Sequence, residues 1–320
     1  MNRIVRSMFL AMFVLVLTAS DGVAQTGRPL RLVVPYGSGG APDVVSRTLA
    51  QRLGETAGWQ VIVENRPGAG GVVAAETVMK SPADGWTVFI ADTGHYAISP
   101  ALIPKLPFDP LRDFVPVSHI ASTPLVFAAN IALPASNIAE LVALAKTKPV
   151  NYGSSGNGSP HHLGMEMLKL ITKIDMLHIP YKGVAQSVPA LLAGDVSVIL
   201  VGVPAIQPHV RAGKAKLLAV SSGARSSLVP DLPTAAESGA PDFDLTVTIG
   251  MLAPAGTPRD AVMRLHDEAA KVLKEPEIVR KLAGLGIVAV GDSPEQLASI
   301  IRVEQDKFAK LVKASGAKVD

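Results

Sequence analysis

Short apolar runs alternate with helical patterns along most of the chain. Runs rich in Val and Ile and bounded by Gly, Pro or Asp predict buried strands at Arg31–Pro35, Gln60–Glu64, Trp86–Ala91 and Val196–Gly202. Apolar positions at helical spacing predict helices at Asp43–Leu53, Gly71–Lys80, Ile138–Thr147, Pro160–Thr172, Val184–Ala193 and Ala205–Ala212. In the first of these helices, Gly54 is the expected stop. Strands that alternate with helices indicate βαβ units, so the predicted fold class is α/β with a mostly parallel sheet.

The pattern changes in the last quarter of the chain, which reads as nearly all helical from Pro258 to Asp320. Helices are predicted to begin at Thr257-Pro258 and at Ser293-Pro294, where a capping residue precedes proline. A chain of 320 residues is long enough for two domains at about 100–200 residues each. Two stretches bearing Pro or Gly, Ser118–Leu133 and Pro230–Gly256, are where we expect the chain to cross between them.

The first residues have the three-part pattern of a secretory signal. Arg3 and Arg6 give a basic start, an apolar run extends from Met8 to Leu17, and Gly22-Val23-Ala24 places small residues at a cleavage site. The apolar run is about half of the ~20 residues that a membrane-spanning helix needs. We therefore expect cleavage near Ala24 (segment 1–24) and an exported, periplasmic protein that does not itself span the membrane.

Composition excludes several classes of protein. The chain has no cysteine, which rules out a disulfide scaffold, thiolate catalysis and cysteine-based metal sites. Its net charge is +3, with 4% aromatic residues and no basic run, so it lacks the charge pattern of a nucleic-acid-binding protein. A weakly basic chain of this kind permits acidic small-molecule ligands.

Two glycine-rich segments carry the candidate chemistry. The first loop, Pro35–Asp43, joins a predicted strand to a helix, and the second loop, Asn151–Pro160, again leads into a helix. Glycine lets a ligand approach the backbone closely, and the first turn of a helix presents unpaired N–H groups and partial positive charge. Each junction is a candidate anion site, although a tight connection without a ligand explains either loop taken singly.

Other kinds of site fit these segments less well. Neither loop has the Gly-Lys-Ser/Thr ending of a P-loop, and the segment from Gly68 has Val73 where a dinucleotide fingerprint needs glycine. The residues around Ser155 lack the final glycine of a nucleophile elbow. His161 and His162 are adjacent on a helix and diverge by about 100°, which disfavours a shared metal. We expect no enzyme activity, no metal and no cofactor.

The order of short motifs across the chain resembles the extracytoplasmic solute receptors of tripartite tricarboxylate transporters, the Bug or TctC-like family. The motifs are Val34-Pro35-Tyr36 with Gly39-Gly40 and Asp43, Glu64-Asn65-Arg66-Pro67-Gly68-Ala69-Gly70-Gly71, Pro82-Ala83-Asp84-Gly85-Trp86, Tyr152-Gly153-Ser154 with His162-Leu163, Ile179-Pro180-Tyr181-Lys182-Gly183, Pro230-Asp231-Leu232-Pro233-Thr234, and Leu252-Ala253-Pro254-Ala255-Gly256-Thr257-Pro258. Individually they are modestly specific, and together they cover almost all of the mature chain.

The resemblance implies a two-domain, type-2 periplasmic-binding-protein fold that closes over one small carboxylate and delivers it to membrane transporter subunits, acting as a monomer. In such receptors the carboxylate is held by backbone N–H groups and small hydroxyls from the two loops, without a charged side chain. Carried over by position, the implied ligand-binding residues are Tyr36, Gly39, Gly40, Ala41, Asp43, Thr93, Gly94, His95, Ser154, Ser155, Gly156, Asn157, Gly158, Ser159, His162 and Tyr181.

Specific roles follow for several of these residues. Gly39, Gly40 and Ala41 are expected to present N–H donors, and Ser154, Ser155 and Ser159 to give hydroxyl and N–H donors from the other side. Tyr36 is expected to wall the cleft and Asp43 to cap the first helix, since a carboxylate facing a carboxylate would repel it. For Tyr181 and Arg66, bracing the loops and contacting the ligand remain equally open.

The resemblance also gives domain boundaries and leaves alternatives. Domain 1 is expected to combine residues 25–124 with 249–320, and domain 2 to comprise 125–248.

Thr248-Ile249 stands where the family often has a tryptophan–aromatic pair. If that site lines the pocket, threonine leaves room for a bulkier ligand. The rival functions are a sensory module that acts on a membrane kinase and an exported α/β hydrolase that uses Ser155 with His162.

Overall fold

The computed structural model describes residues 28–318, so the signal segment lies outside the described residues. Its strands are β1 Leu30–Val34, β2 Val61–Asn65, β3 Thr87–Asp92, β4 Phe114–Asn130, β5 Asn151–Ser154, β6 Leu177–Pro180, β7 Val198–Gly202, β8 Ala215–Val220, β9 Thr246–Pro254 and β10 Val288–Asp292. Its helices are α1 Ala41–Ala57, α2 Val72–Met79, α3 Ser99–Leu102, α4 Ile138–Ala145, α5 Pro160–Thr172, α6 Val184–Ala193, α7 Val203–Arg211, α8 Arg259–Leu273, α9 Pro276–Gly284 and α10 Pro294–Ser315. The predicted α/β class is confirmed, but the expectation of a mostly parallel sheet is wrong: among the described strands, five pairings are antiparallel and four are parallel.

Two sets of parallel strands flank a pair of long antiparallel strands. The strand order is β2-β1-β3-β9-β4-β7-β5-β6, with β8 and β10 also pairing with β4. Strands β1, β2 and β3 are parallel to one another, as are β5, β6 and β7. Strand β4 runs through both sets, pairing with β9 as far as Pro124 and with β7 from Leu125 onwards. One strand therefore belongs to both halves of the molecule.

Helix α1 shows how the sequence sets these elements. Val45, Leu49 and Leu53 recur at helical spacing and are buried, while Pro42 lies in the first turn, where its missing N–H costs nothing. The predicted stop at Gly54 is wrong. The helix continues to Ala57 and ends at Gly58, which has φ 66°, the left-handed conformation typical of a residue after a helix.

Other boundaries also differ from the sequence expectation. Strand β10 interrupts the tail that was predicted to be nearly all helical. Helix α8 begins after Pro258, and Thr257 does not cap it, since the Thr257 hydroxyl donates to the Pro254 carbonyl. The predicted start of α10 is confirmed. There Ser293 accepts the N–H of Gln296, whose side chain accepts the N–H of Ser293 in return.

The first-half sheet has a packed core on each face. On one face Leu32 packs with Leu49 of α1 and Leu265 of α8, all of them at most 2% exposed. On the other, Phe89 of β3 belongs to a cluster that reaches Phe308 of α10 and continues into the second half through Phe127. Cores of this kind hold the strand ends, and therefore the loops that leave them, in place.

Candidate functional site

A cleft of about 1200 Å³ lies between the two halves, and both glycine-rich loops line it. From the first loop it is lined by residues 36–42, and from the second by Ser155, Asn157, Gly158, Ser159 and Pro160. The two loops come from opposite ends of the strand order, after β1 and after β5. They face each other across a shared space.

Several helices begin at this cleft. Lining residues include the N-cap and first residues of α1 (Gly40, Ala41), α5 (Ser159, Pro160) and α6 (Gly183, Val184), and the N-cap residue of α7 (Gly202). Each of these helices follows a strand of one of the parallel sets, so their N-termini collect at the carboxyl ends of the strands. The first N–H groups of a helix lack intrahelical acceptors and carry partial positive charge. The cleft is therefore electrostatically suited to an anion.

In the first loop, Asp43 is directed away from the cleft and braces the backbone. Its carboxylate accepts the N–H of Gly39 at 2.9 Å, Nε of Arg47 at 3.0 Å and Nδ2 of Asn65 at 2.9 Å. Burial would raise the pKa of Asp43, but these bonds and the charge of Arg47 outweigh burial and lower it. The expected role of Gly39 as a ligand donor therefore needs correction, because its N–H is already bonded. Gly40 and Ala41 begin the helix beside it.

A hydrogen-bonded group on β3 and the turn after it forms the neighbouring wall. Asp92 is buried and accepts from Tyr36 Oη at 2.8 Å, from Nδ1 of His95 at 2.7 Å and from the N–H of Gly94 at 2.9 Å. Burial would raise the pKa of Asp92, but the charge and hydrogen bond of His95 and the other two bonds lower it. Tyr36, Asp92, Gly94 and His95 all line the cleft. A Cβ on Gly71 would overlap the His95 ring, so glycine is required there.

Thr93 points in the other direction, away from the cleft. Its hydroxyl donates to Oε2 of Glu304 at 3.0 Å and accepts the N–H of Thr248 at 2.9 Å. Burial raises the pKa of Glu304 to about 7. Thr248 and Glu304 line a separate cavity of about 310 Å³. Thr248 is not among the described residues that line the main cleft. The hypothesis that threonine at this position leaves room for a bulkier ligand required it to line the pocket, so that hypothesis is not supported.

In the second loop, each predicted serine hydroxyl has an internal partner. Ser159 accepts the N–H of His162 at 3.1 Å and so caps α5, and it donates to the Gly156 carbonyl at 2.7 Å. Ser155 Oγ lies 2.6 Å from Nδ1 of His161. Ser154 Oγ lies 2.7 Å from Nε2 of His178. These hydroxyls shape the loop, and so do the N–H groups of Gly156, Gly158 and Ser159, which bond to Ser154 Oγ, His162 Nδ1 and the Gly156 carbonyl. The second loop therefore offers fewer donors to the cleft than its glycine and serine content predicts.

The remaining predicted residues lie behind the second loop. His162 is buried and accepts the N–H of Gly158 through Nδ1 at 3.1 Å, so it does not contact Ser155. Tyr181 donates its N–H to the Ser154 carbonyl at 3.2 Å and packs its ring beneath Gly153. Gly156 has φ 124° and lies against the Tyr181 carbonyl. For Tyr181, this position favours bracing over ligand contact.

The structure thus divides the expected site residues into two groups. On the cleft wall it places Tyr36, Gly39, Gly40, Ala41, Gly94, His95, Ser155, Asn157, Gly158 and Ser159. Behind that wall it places Asp43, Thr93, Ser154, Gly156, His162 and Tyr181, whose contacts support the loops.

Sequence reasoning missed other lining residues. Asp92 was signalled only by its position directly after the predicted strand Trp86–Ala91, and in the structure it is the last residue of β3. Lys182 is the one lysine or arginine among the described lining residues, and it is exposed. Much of the remaining surface is aliphatic, contributed by Ile98, Leu102, Ile103, Leu125, Val247, Ile249, Leu285 and Ile287. The cleft therefore combines helix N-termini with an apolar wall.

This combination of two halves, a shared strand and a cleft is the architecture of periplasmic solute-binding proteins. Protein BugT of Bordetella pertussis is 35% identical over 295 residues, covering 91% of this chain and 90% of BugT. A UPF0065 protein encoded between tcbD and tcbE in Pseudomonas sp. strain P51 is 34% identical, covering 96% and 94%.

Solved structures agree. Rpa4515 of R. palustris with adipate has a TM-score of 0.80 at 33% identity, covering 92% of this chain and 99% of that one. MatC of Rhodopseudomonas palustris with bound malate has a TM-score of 0.75 at 29% identity, covering 90% and 99%. The model of the tripartite tricarboxylate transporter family receptors, TctC, matches residues 45–317. The chain belongs to this family of solute receptors.

Proposed function

We propose that this protein captures a small organic acid in the periplasm and delivers it, without altering it, to the membrane subunits of a tripartite tricarboxylate-type transporter. It is exported by the signal segment, cleaved near Ala24, and acts as a monomer. The proposal is supported by the family and by relatives whose structures hold adipate and malate. Within residues 28–318, no helix is both long and apolar enough to cross a bilayer.

One observation carries the proposal: the starts of α1 and α5 line the same cleft from opposite halves. A carboxylate between them would accept N–H groups from both helices and meet the positive end of each helix dipole. Neither loop contributes lysine or arginine. Asp92 adds little repulsion toward a bound carboxylate, because hydrogen bonds from Tyr36, His95 and Gly94 offset its negative charge.

Capture requires the two halves to close, and β4 supports a hinge position. Its partner changes from β9 to β7 between Pro124 and Leu125, and β9 begins at that point, with Thr246 opposite Pro124. These pairings support the first crossing of the proposed division, in which domain 1 is residues 25–124 with 249–320 and domain 2 is 125–248. For the return crossing they favour the start of β9 at Thr246, because residues 246–248 pair with the domain 1 part of β4. Closure is favoured by a ligand only if the closed state adds contacts, and a carboxylate bridging α1 and α5 would add them.

A calorimetric panel of organic acids, including adipate, malate, hexanoate and benzoate, tests the proposal. We expect at least one acid to bind with micromolar or tighter affinity, about −8 kcal/mol, and to be recovered chemically unchanged. Binding that needs no carboxylate, or no binding across a broad panel, would contradict carboxylate capture.

The contact between Ser155 and His161 makes hydrolysis the second function to test. The hydroxyl lies 2.6 Å from Nδ1 of the imidazole, and both residues line the cleft. Burial lowers the pKa of His161 to about 4, and no carboxylate among the described residues contacts its ring. An unoriented, weakly basic imidazole is a poor general base at neutral pH. Mass spectrometry of the recovered acids separates capture from turnover.

A further inference from the structure

Two stacked histidines lie beneath the second loop. The rings of His162, on α5, and His178, on β6, are 4.0 Å apart with an interplanar angle of 8°. The Tyr152 ring, from β5, is nearly parallel to that of His178 at 4.8 Å. His162 is buried, and His178 is partly buried. The loop therefore rests on aromatic rings from three different elements.

Each histidine holds a different end of the loop. Nδ1 of His162 accepts the N–H of Gly158 at 3.1 Å. Nε2 of His178 lies 2.7 Å from Ser154 Oγ, which in turn accepts the N–H of Gly156 at 3.1 Å. Gly156 and Gly158 both have positive φ, 124° and 72°, so the direction of each N–H depends on a conformation that few other residues adopt. The histidines thus bond to the backbone on either side of the lining residue Asn157.

The bond from Gly158 requires a neutral imidazole at His162. An N–H can be donated to Nδ1 of His162 only while that atom keeps its lone pair, which places the ring proton on Nε2. The charged neighbours are Glu166 and Lys169 of α5, which pair with each other at 2.9 Å, and Glu166 also accepts Tyr152 Oη. Burial lowers the pKa of both histidines, that of His178 to about 4. Both rings are therefore neutral at pH 7, and two cations in contact are avoided.

We propose that His162 and His178 are positioning residues for ligand capture. As neutral hydrogen-bond partners, His162 directly and His178 through Ser154, they keep the N–H groups of Gly158 and Gly156 on the side of the loop away from the cleft. They thereby determine which donors of the second loop face the cleft. The inference rests on the proposed function, because it concerns the loop that would grip the ligand. It assigns the pair a role in affinity that differs from filling space in the core.

Two substitutions at one position separate these roles. His162→Asn places an amide oxygen near the position of Nδ1 and keeps an acceptor, whereas His162→Phe keeps a ring in the stack and removes the acceptor. With adipate as the calorimetric probe at pH 7, we expect affinity within about 3-fold of wild type for His162→Asn and at least about 10-fold weaker for His162→Phe. Thermal stability should follow the opposite order, because phenylalanine retains more apolar burial. Affinity that follows stability would overturn the inference.

Acid should act through the same acceptor. Protonation of His162 takes its lone pair, so adipate affinity of the wild type should fall as the pH is lowered from 7 through the depressed pKa of His162. The adipate affinity of His162→Asn should change less with pH. Because both proteins are measured with adipate, the titration of the ligand affects the two pH profiles equally. Identical profiles for the two proteins would contradict the proposal.

A ligand-free measurement keeps the inference separate from the proposed function. In the NMR spectrum, the Gly158 amide should show slow hydrogen exchange and a downfield proton shift in wild type and His162→Asn, and lose both in His162→Phe. If no acid binds wild type, the proposed function fails, and the Gly158 amide alone decides the inference. An unchanged Gly158 amide in His162→Phe would overturn it.

Discussion

Replacing Gly39 with valine is expected to weaken binding of the acid identified in the panel by about 100-fold, or nearly 3 kcal/mol. Gly39 has φ 96°, which a β-branched residue adopts only at a strain of about 1–3 kcal/mol. A Cβ there would meet no atom within 4 Å, so the effect arises from the backbone and not from a clash. Relaxing that strain would break the Gly39–Asp43 bond and turn the N–H groups of Gly40 and Ala41 away from the cleft.

The matched control is Gly37→Val, in the same loop. A Cβ on Gly37 also meets open space, but the backbone there does not have a left-handed φ. Isothermal titration calorimetry should therefore show affinity within about 3-fold of wild type for this variant. Equal losses in the two variants would show that loop bulk, and not the conformation at Gly39, limits binding.

Replacing Asp92 with alanine is expected to lower the free energy of unfolding by about 3–5 kcal/mol. The buried carboxylate accepts from Tyr36, His95 and Gly94, and alanine leaves all three donors without their acceptor. Urea unfolding with an unchanged m-value measures the loss. The effect should be large because desolvated donors are costly when a single partner is removed.

Tyr36→Phe provides the comparison for Asp92→Ala. It deletes one donor to the same carboxylate and keeps the ring, so we expect a cost of about 1 kcal/mol. A loss for Asp92→Ala no greater than that for Tyr36→Phe would mean that Asp92 does not organise this wall of the cleft.

The sequence predicted the parallel parts of the fold better than the antiparallel ones. Strands β1, β3 and β7 were recognised because parallel strands buried on both faces are continuous apolar runs. Strand β2 was recognised from its Val and Ile residues, but the expectation that it is buried is wrong, because it lies at the end of the strand order and Ile62 is exposed. Most of strand β4 lies in the stretch Ser118–Leu133, which was interpreted as a crossing because it contains Pro124, and proline normally signals a strand edge or break. Its pairing with four other strands depends on contacts distant in sequence.

The site divides in the same way. Glycine clusters at strand–helix junctions identified both loops, since the backbone conformation of a tight turn depends on the residues within the turn. The partners of those loops were not identifiable locally. Asp92 meets Tyr36 across 56 positions, and the Ser154–His178 contact joins residues 24 positions apart. Among the serine hydroxyls, only that of Ser154 has a partner distant in sequence. Ser155 and Ser159 line the cleft as expected, but their hydroxyls bond to groups three to six residues away.

A crystal structure of the protein with its tightest-binding acid tests the central claim most directly. We expect one carboxylate of the ligand to accept hydrogen bonds, directly or through one water, from N–H groups at the start of α1, at Gly40 or Ala41, and from the second loop or the first turn of α5. A carboxylate bound by only one half, or paired with Lys182 and away from both helix starts, would contradict capture between the two helix N-termini.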